Sequence, residues 1–333
     1  MSAAAPGIIV RAPNWLGDTV MALPALAALR AHAREARLVV VGRWATLLAG
    51  QGVADALLPY PARGRARRGL HRALAADPPD VAVLLPNSLE SALAARRWGA
   101  RRIVGFDTDG RGALLTDRLP LPAPRLHQVD EYAALVRAVG APDVAATPTW
   151  RRAPDRGLDA EAAALLVPLG GGPLVGLHLG AAGGSAKQWG PTAFAALARR
   201  LARDGLVPVL LGGPTDTLME AAVLDAGHGQ PVASLVGRDR PALLPALLGR
   251  LACLVSGDTG VAHLAAALGT PTVTLFGPTD PTLTAPRAAR ARTLRGAAPC
   301  APCFLATCPI DHVCLAAITA EAAAAEVRTA LAR

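Results

Sequence analysis

Residues 253–281, CLVSGDTGVAHLAAALGTPTVTLFGPTDP, restrict the fold of this chain more than any other stretch. A short apolar run of buried-strand length opens it, and a glycine-rich turn follows at 256–260. An apolar segment with helical spacing comes next and ends before Gly269, and a second apolar run at 272–276 predicts another buried strand. The order strand, turn, helix, strand predicts a β-α-β unit, which belongs to a parallel sheet.

The turn at 256–260 also has a functional interpretation. A glycine-rich turn before a helix aims free backbone N–H groups and the positive end of the helix at the space above the strand. A diphosphate would fit there, and His263, in the first helical turn, could reach the same space. The alternative is an ordinary βα turn without a ligand and a histidine that is merely packed. The residues of this stretch alone leave both interpretations open.

Strands alternate with helical patterns on both sides of a linker-like stretch rich in Pro, Ala and Gly at 142–173. The strands predicted before it cover 8–11, 38–42, 56–60, 81–85 and 102–106. Those predicted after it cover 174–179, 207–212, 233–236, 253–255 and 272–276. Such alternation predicts α/β architecture with parallel sheets. We therefore expect two Rossmann-like domains, 1–155 and 156–333, that face each other across a cleft.

Length and composition restrict the function further. The chain has 333 residues, enough for two domains, and no apolar run reaches the ~18–20 residues that a membrane span needs. Its start lacks the basic and apolar regions of a secretory signal, so we expect a cytoplasmic protein whose cysteines are thiols or metal ligands and not disulfides. The net charge of +9 favours an anionic partner or reflects the arginine bias of a GC-rich genome. The aromatic content of 3% argues against nucleic acid.

Four further features carry candidate chemistry. Lys187 is the only lysine of an arginine-rich chain, as expected of a site that needs a compact point charge, although chance could also leave one. Asp18 ends the turn after the first predicted strand and is either a helix N-cap or a base at a cleft. Residues 61–72 predict a basic loop, either a solvated face or an anion-attracting rim. Residues 107–109 form an Asp-Thr-Asp triplet, a pattern that can hold a metal under a diphosphate but often arises by chance.

A compact group of cysteines lies near the end of the chain. Cys300, Cys303, Cys308 and Cys314 follow the spacing Cys-x2-Cys-x4-Cys-x5-Cys. Four thiols this close could hold zinc or an iron–sulfur centre, which would suggest a metal-binding or redox-sensing protein. The alternative is four reduced thiols in a loop.

Four motifs together resemble the glycosyltransferase 9 family, and more narrowly its lipopolysaccharide heptosyltransferase II subgroup. They are RAPNWLGDTVMALPALAALR at 11–30, the lysine within 178–190, SGDTGVAHLAAALGTPTVTLFGPTDP and CAPCFLATCPIDHVCL. The resemblance implies a GT-B fold, an ADP-heptose donor bound by the C-terminal domain, and an acceptor bound by the N-terminal domain. That acceptor is the inner core of lipopolysaccharide, a component of the Gram-negative outer membrane. It further implies inversion at the sugar carbon, without a bound metal or other cofactor.

The resemblance also assigns roles to individual residues. Asp18 falls on the general base of the family. The positions of the donor-binding residues are occupied by Lys187, Ser185, Asp216, Asp258, Thr259, Gly260 and His263. Ser185 and backbone amides at 182–184 stand where some relatives place hydroxyl side chains. We expect Asp258 to cap the following helix or to accept hydrogen bonds from sugar hydroxyls, because a carboxylate fits poorly beside a phosphate. Another nucleotide sugar as donor, and a peripheral contact with the inner membrane, remain open from the sequence.

Overall fold

The computed structural model of the protein describes residues 7–142, 144–152 and 155–332. The chain forms two compact units, a first unit of Met1–Thr149 and a second unit of Trp150–Arg333. In the part of the chain that the structure describes, each unit contains one sheet of six strands, and all neighbouring strands in both sheets run parallel. The predicted α/β class with two Rossmann-like units is confirmed. The assignment of acceptor and donor binding to domains 1–155 and 156–333 stays a prediction.

The first unit has six strands and five helices in the described residues. The strands are β1 (Gly7–Arg11), β2 (Arg37–Gly42), β3 (Ala56–Pro59), β4 (Val81–Leu84), β5 (Arg102–Phe106) and β6 (Asp117–Leu119). The helices are α1 (Leu16–Met21), α2 (Leu23–His32), α3 (Gly64–Ala76), α4 (Leu89–Arg97) and α5 (Gln128–Arg137). The strand order in the sheet is β3-β2-β1-β4-β5-β6.

The second unit has six strands and eight helices in the described residues. The strands are β7 (Leu174–His178), β8 (Val207–Leu211), β9 (Ala233–Ser234), β10 (Cys253–Gly257), β11 (Thr272–Phe276) and β12 (Ala291–Arg295). The helices are α6 (Arg156–Leu166), α7 (Pro191–Arg203), α8 (Thr217–Ala226), α9 (Leu244–Leu248), α10 (Gly260–Ala267), α11 (Pro281–Thr284), α12 (Val313–Ala316) and α13 (Ala320–Leu331). The strand order is β12-β11-β10-β7-β8-β9.

The two sheets have the same topology. In each, the first and the fourth strand along the chain lie side by side at the centre, and the chain winds outward from them in both directions. Ligands of such sheets bind beyond the carboxyl ends of the strands, at the point where the winding direction changes. This point lies between β1 and β4 in the first unit and between β7 and β10 in the second.

Buried apolar residues hold the strands in place. In the second unit β10 and β11 are buried along their whole length, and Trp189 and Phe194 pack edge to face with 5.1 Å between ring centres. In the first unit the fully buried Trp98 donates from Nε1 to Nδ1 of His71 over 2.8 Å. Burial of each side chain of this size contributes roughly 2–3 kcal/mol to the free energy of folding. This packing holds the strands, and therefore their carboxyl ends, in fixed positions.

Two structural predictions from the sequence need correction, and two strands were missed. The basic segment predicted as a loop at 61–72 is mostly helix α3, because Arg, Ala and Leu favour helices and Leu70 and Leu74 pack on the core one turn apart. The apolar spacing of residues 19–30 predicts one helix, but the structure has two there, because Pro24 lacks the N–H that would continue the first. The short strands β6 and β12 were not predicted.

The stretch predicted as an interdomain linker at 142–173 is only partly described, because residues 143, 153 and 154 lie outside the described residues. Much of it belongs to the second unit. The backbone N–H of Trp150 donates to the carbonyl of Ala267 over 2.8 Å. The sequence predicts a short helix at 160–166 within the linker, and α6 begins four residues earlier, at Arg156.

Candidate functional site

The only lysine of the chain forms an ion pair at the centre of the second sheet. Lys187 Nζ lies 2.8 Å from Asp258 Oδ2 and 3.4 Å from the Asp258 carbonyl oxygen. Lys187 follows β7 and Asp258 follows β10, so the pair lies where the winding direction changes. This contact joins residues 71 positions apart, and the sequence did not predict it.

Asp258 is buried, and its carboxylate is held in the ionised form. Burial alone would raise its pKa, but His263 and the charge of Lys187 outweigh burial and lower the pKa to about 2. His263 Nε2 lies 3.9 Å from Asp258 Oδ1, beyond hydrogen-bond distance. The prediction that Asp258 caps the helix is wrong, because Thr259 occupies the N-cap position of α10.

A tight turn brings Lys187 to this position. Ser185–Lys187 form a single 3-10 turn, preceded by Gly184 with a φ of +119°, a conformation that side chains rarely allow. A Cβ atom on Gly257 would lie 2.7 Å from the carbonyl oxygen of Lys187, so the two backbones approach too closely for any other residue. Both glycines are therefore required for the Lys187 position, which gives the glycine-rich turns a structural reason.

The N-terminus of α10 lies beside the ion pair. Thr259 is extended, and Gly260 is the first helical residue, so the first backbone N–H groups of α10 have no acceptor within the helix. The Thr259 Oγ1 lies 2.9 Å from Ser256 Oγ, which in turn lies 3.5 Å from His178 Nδ1. Burial lowers the pKa of His178 to about 4, so it is neutral at physiological pH.

Asp216 lies at the same edge of the sheet, after β8. Its carboxylate accepts the backbone N–H of Gly213 over 2.8 Å, and a Cβ atom on Gly180, after β7, would lie 2.5 Å from it. Burial raises the pKa of Asp216. Nearby Asp239 is more deeply buried, and burial, with a contribution from the Asp216 charge, raises its pKa to about 6. Asp239 was not predicted, because no motif marks it.

Asp18 belongs to the first unit, after β1. It is the third residue of α1, and Trp15 occupies the N-cap position, so the interpretation of Asp18 as a cap is wrong. The turn before α1 is fixed by the buried Arg11, whose Nη2 donates to Asn14 Oδ1 over 2.7 Å. Asp18 faces Tyr132 of α5, whose pKa is raised by burial and by the Asp18 charge. The carboxylate therefore lies at the predicted edge of the sheet.

A buried arginine, Arg111, lies close to the Asp-Thr-Asp triplet. Arg111 is fully buried and donates to the carbonyl oxygens of Phe106 and Pro86 over 2.9 and 2.5 Å. Burial lowers the pKa of Arg111 to about 10, while the charges of Asp107 and Asp109 oppose this shift. The two carboxylates thus balance a cation of the protein itself. Among the described residues, no three His, Cys, Asp or Glu side chains are placed to hold a metal ion.

Comparison with known proteins decides the family. Residues 67–314 match the family described as Glycosyltransferase family 9 (heptosyltransferase). The chain belongs to glycosyltransferase family 9. The resemblance found in the sequence motifs is therefore confirmed, and the protein is a glycosyltransferase.

Individual relatives of this glycosyltransferase agree with the family. It is 29% identical to lipopolysaccharide heptosyltransferase 2 of Salmonella typhimurium over 86% of the chain and 87% of that protein. The structure of Escherichia coli ADP-heptose lipopolysaccharide heptosyltransferase II aligns with a TM-score of 0.80 and 27% identity over 98% of both chains. A family 9 glycosyltransferase from Veillonella parvula aligns with a TM-score of 0.83 at 21% identity, over 100% of this chain and 99% of that one, which shows the shared fold. The matches favour neither a metal-binding nor a redox-sensing protein.

The first unit of the glycosyltransferase also carries a basic groove of about 780 Å³ that the sequence did not define. Five arginines and one histidine line it: Arg63, Arg67, Arg68, Arg72, Arg97 and His71. The hydrogen bond from Trp98 occupies Nδ1 of His71, and burial with the charges of Arg97 and Arg67 lowers the pKa of His71. The groove therefore gathers five arginine side chains around one histidine whose pKa is lowered, and binding of an anion there stays a prediction.

A partly buried network of side chains lies at one side of the groove. The guanidinium groups of Arg11 and Arg67 lie 4.0 and 4.4 Å from the centre of the Tyr60 ring. Tyr60 donates to Glu90 Oε1 over 2.5 Å, and the same oxygen lies 3.1 Å from Arg67. Burial and this hydrogen bond raise the pKa of Tyr60 to about 12, so its hydroxyl keeps its proton.

None of the described helices is long and apolar enough to cross a membrane.

Proposed function

We propose that this glycosyltransferase transfers heptose from ADP-L-glycero-D-manno-heptose to the inner core of lipopolysaccharide, with inversion at the sugar carbon and without a bound metal. The observation that carries the proposal is the Lys187–Asp258 pair beside the N-terminus of α10, at the centre of the second sheet. A point charge and free backbone N–H groups are together what a diphosphate requires. The names of the relatives supply the sugar and the acceptor class.

In the proposed reaction the donor diphosphate lies between Lys187 and the first turn of α10. As the bond between the heptose carbon and the diphosphate breaks, negative charge collects on the departing ADP. Lys187 and the backbone N–H groups stabilise that charge where a metal would otherwise act. Asp258 orients the ammonium group of Lys187 before the donor arrives, and Asp216 accepts hydrogen bonds from hydroxyl groups of the donor.

The attacking group is a hydroxyl of the acceptor sugar. Its oxygen forms the new bond on the face of the heptose carbon opposite the diphosphate, so the configuration inverts. Its proton passes to the carboxylate of Asp18, a transfer that contributes typically ~10²–10⁴-fold to the rate. Asp18 follows the central strand of the first sheet, the position at which such sheets present ligands.

The basic groove of the first unit supports an acidic acceptor. Arg72 and Arg97 on its walls, with the Nε2 of the neutral His71, offer charge and one hydrogen-bond donor to carboxylate or phosphate groups of an inner core. The same charge would favour a peripheral contact with the anionic inner membrane, at its cytoplasmic face, where a membrane-bound acceptor is built.

The test is direct. The purified protein is incubated with ADP-heptose and defined inner-core acceptors, and the product is identified by its mass and by the configuration of the new linkage. We expect one heptose to be added. UDP-sugars serve as competing donors, because a preference for one of them would support the alternative of a different nucleotide sugar. No transfer from ADP-heptose to any inner-core acceptor would contradict the proposal.

A further inference from the structure

The cysteine-rich segment lies directly on the turn that carries Lys187. Between β12 and α12 the chain runs from 296 to 312 without a helix or strand. The backbone N–H of Ala186 donates to the carbonyl oxygen of Ala306 over 3.0 Å. A Cβ atom on Gly184 would collide with the same carbonyl group, so the two backbones are in close contact. We call residues 303–312 the strap.

The first residues of the strap are tied to the neighbouring strand of the second sheet. The backbone N–H groups of Cys303 and Phe304 both donate to the carbonyl oxygen of Pro278, over 3.0 and 2.8 Å. Pro278 follows β11, which pairs with β10, the strand that leads to Asp258. The strap therefore runs from the end of β11 to the Lys187 turn.

Its last residue is attached to that turn by a side chain. His312 Nε2 lies 3.1 Å from the carbonyl oxygen of Ser185. Because a carbonyl only accepts, the histidine donates, and Nε2 carries the proton. The backbone N–H of His312 donates to Cys308 Sγ over 3.3 Å, and this bond closes a short loop of residues 308–312. His312 has a φ of +55°, uncommon for a residue with a side chain, so its surroundings hold it there.

We propose that the strap holds the Lys187 turn in the geometry that binds a diphosphate, and that His312, secured by Cys308, is a positioning residue for Lys187. This inference rests on the proposed function only in taking the donor to be a nucleoside diphosphate sugar. It gives the cysteine motif a role that needs no metal, because Cys308 acts as a hydrogen-bond acceptor.

The experiment measures ADP binding to the full-length protein by calorimetry. His312→Ala should raise the Kd for ADP by ~3–10-fold, the range of one lost hydrogen bond, and His312→Gln, which retains a donor, should restore it to within about 2-fold. His228→Ala is the matched control, because His228 is exposed, also has a left-handed backbone (φ +51°) and lies in the same unit. Its Kd should equal that of the wild type.

Two measurements separate positioning of Lys187 from a general structural role. In a Lys187→Ala background, His312→Ala should raise the Kd for ADP by less than about 2-fold, because His312 acts through Lys187 and that side chain is gone. An undiminished effect there, or wild-type affinity of His312→Ala alone, would overturn the inference. Cys308→Ser keeps an acceptor and should bind ADP like the wild type, whereas a loss equal to that of Cys308→Ala would contradict the acceptor role.

Hydrogen exchange tests the strap without any ligand. In His312→Ala, backbone amides of residues 183–190 should exchange faster than in the wild type, while the control His228→Ala should match the wild type there. Unchanged exchange over 183–190 would refute the strap whatever the donor is. If the wild type does not bind ADP, the proposed donor is contradicted. Faster exchange of residues 183–190 in His312→Ala would still support the strap in that case.

Discussion

Removing the charge of Asp258 tests whether the buried ion pair stabilises the second unit. Burial raises the pKa of this carboxyl group, but His263 and Lys187 bring it to about 2, below the ordinary value of 3.8. A shift of this size corresponds to about 2 kcal/mol of folding free energy, since each pH unit is worth about 1.4 kcal/mol. Asp258→Asn should therefore lower the free energy of unfolding at pH 7 by about 2 kcal/mol.

The pH dependence has a definite sign. Because the pKa of Asp258 is lower in the folded state, its contribution is complete above about pH 4 and disappears as the pH falls toward 2. At pH 3 roughly half of the difference between wild type and Asp258→Asn should remain.

The assay is urea unfolding at pH 7 and at pH 3, with the exposed pair Glu161–Arg240, whose closest oxygen and nitrogen are 2.5 Å apart, as the control. Glu161→Gln should change the free energy of unfolding by less than about 1 kcal/mol. Equal stability of wild type and Asp258→Asn at pH 7, or a difference that does not shrink at pH 3, would show that the charge of Asp258 does not stabilise the second unit.

Three further predictions concern the reaction. In steady-state kinetics, Lys187→Ala should raise the donor KM and lower kcat, because the contact of Lys187 with the diphosphate strengthens as the leaving group gains charge. Lys187→Arg should also be impaired, since the planar guanidinium group of arginine cannot replace a point charge. Wild-type activity of the arginine variant would contradict this prediction. Turnover should persist in EDTA, whereas a loss restored by Mg²⁺ or Mn²⁺ would indicate a metal. Arg72→Glu should raise the KM for an anionic acceptor several-fold at low salt without changing the donor KM, while Arg118→Glu, an exposed substitution outside the groove, should leave both unchanged.

Much of the fold was predictable because buried parallel strands are short apolar runs bounded by Gly and Pro. β10 and β11 have this pattern, and all their residues are buried. The strands β6 and β12 escaped prediction for the opposite reason. They lie at the edges of their sheets, and sequences such as ARTLR in β12 are largely polar and partly exposed. An edge strand can be polar, and its periodicity then does not reveal it, whereas the edge strand β3 has the largely apolar sequence ALLP and was predicted.

The residues assigned to the candidate site came from the sequence, whereas the contacts between them came only from the structure. Glycine-rich turns after apolar runs identified the edge of the sheet, and the sole lysine was singled out by composition. The pairing of Lys187 with Asp258 joins two distant segments, and only the order of β7 and β10 in the sheet brings them together. Arg111 and His312 were missed because burial and a left-handed backbone leave no local signal in a sequence.

The proposed reaction depends most on Asp18, which follows the first strand of the first unit and is proposed to take the proton of the acceptor. The most direct test is kcat of Asp18→Asn, which removes the base and retains the shape. Asp18 is the third residue of α1, not its cap, so loss of its charge near the helix N-terminus should cost only ~0.3–1 kcal/mol of stability. We expect the variant to melt within a few degrees of the wild type and to bind ADP with unchanged affinity. Its kcat should fall by ~10²-fold or more, and the acidic limb of the wild-type pH–rate profile should vanish. A folded, ADP-binding Asp18→Asn with near-normal kcat would show that Asp18 is not the base.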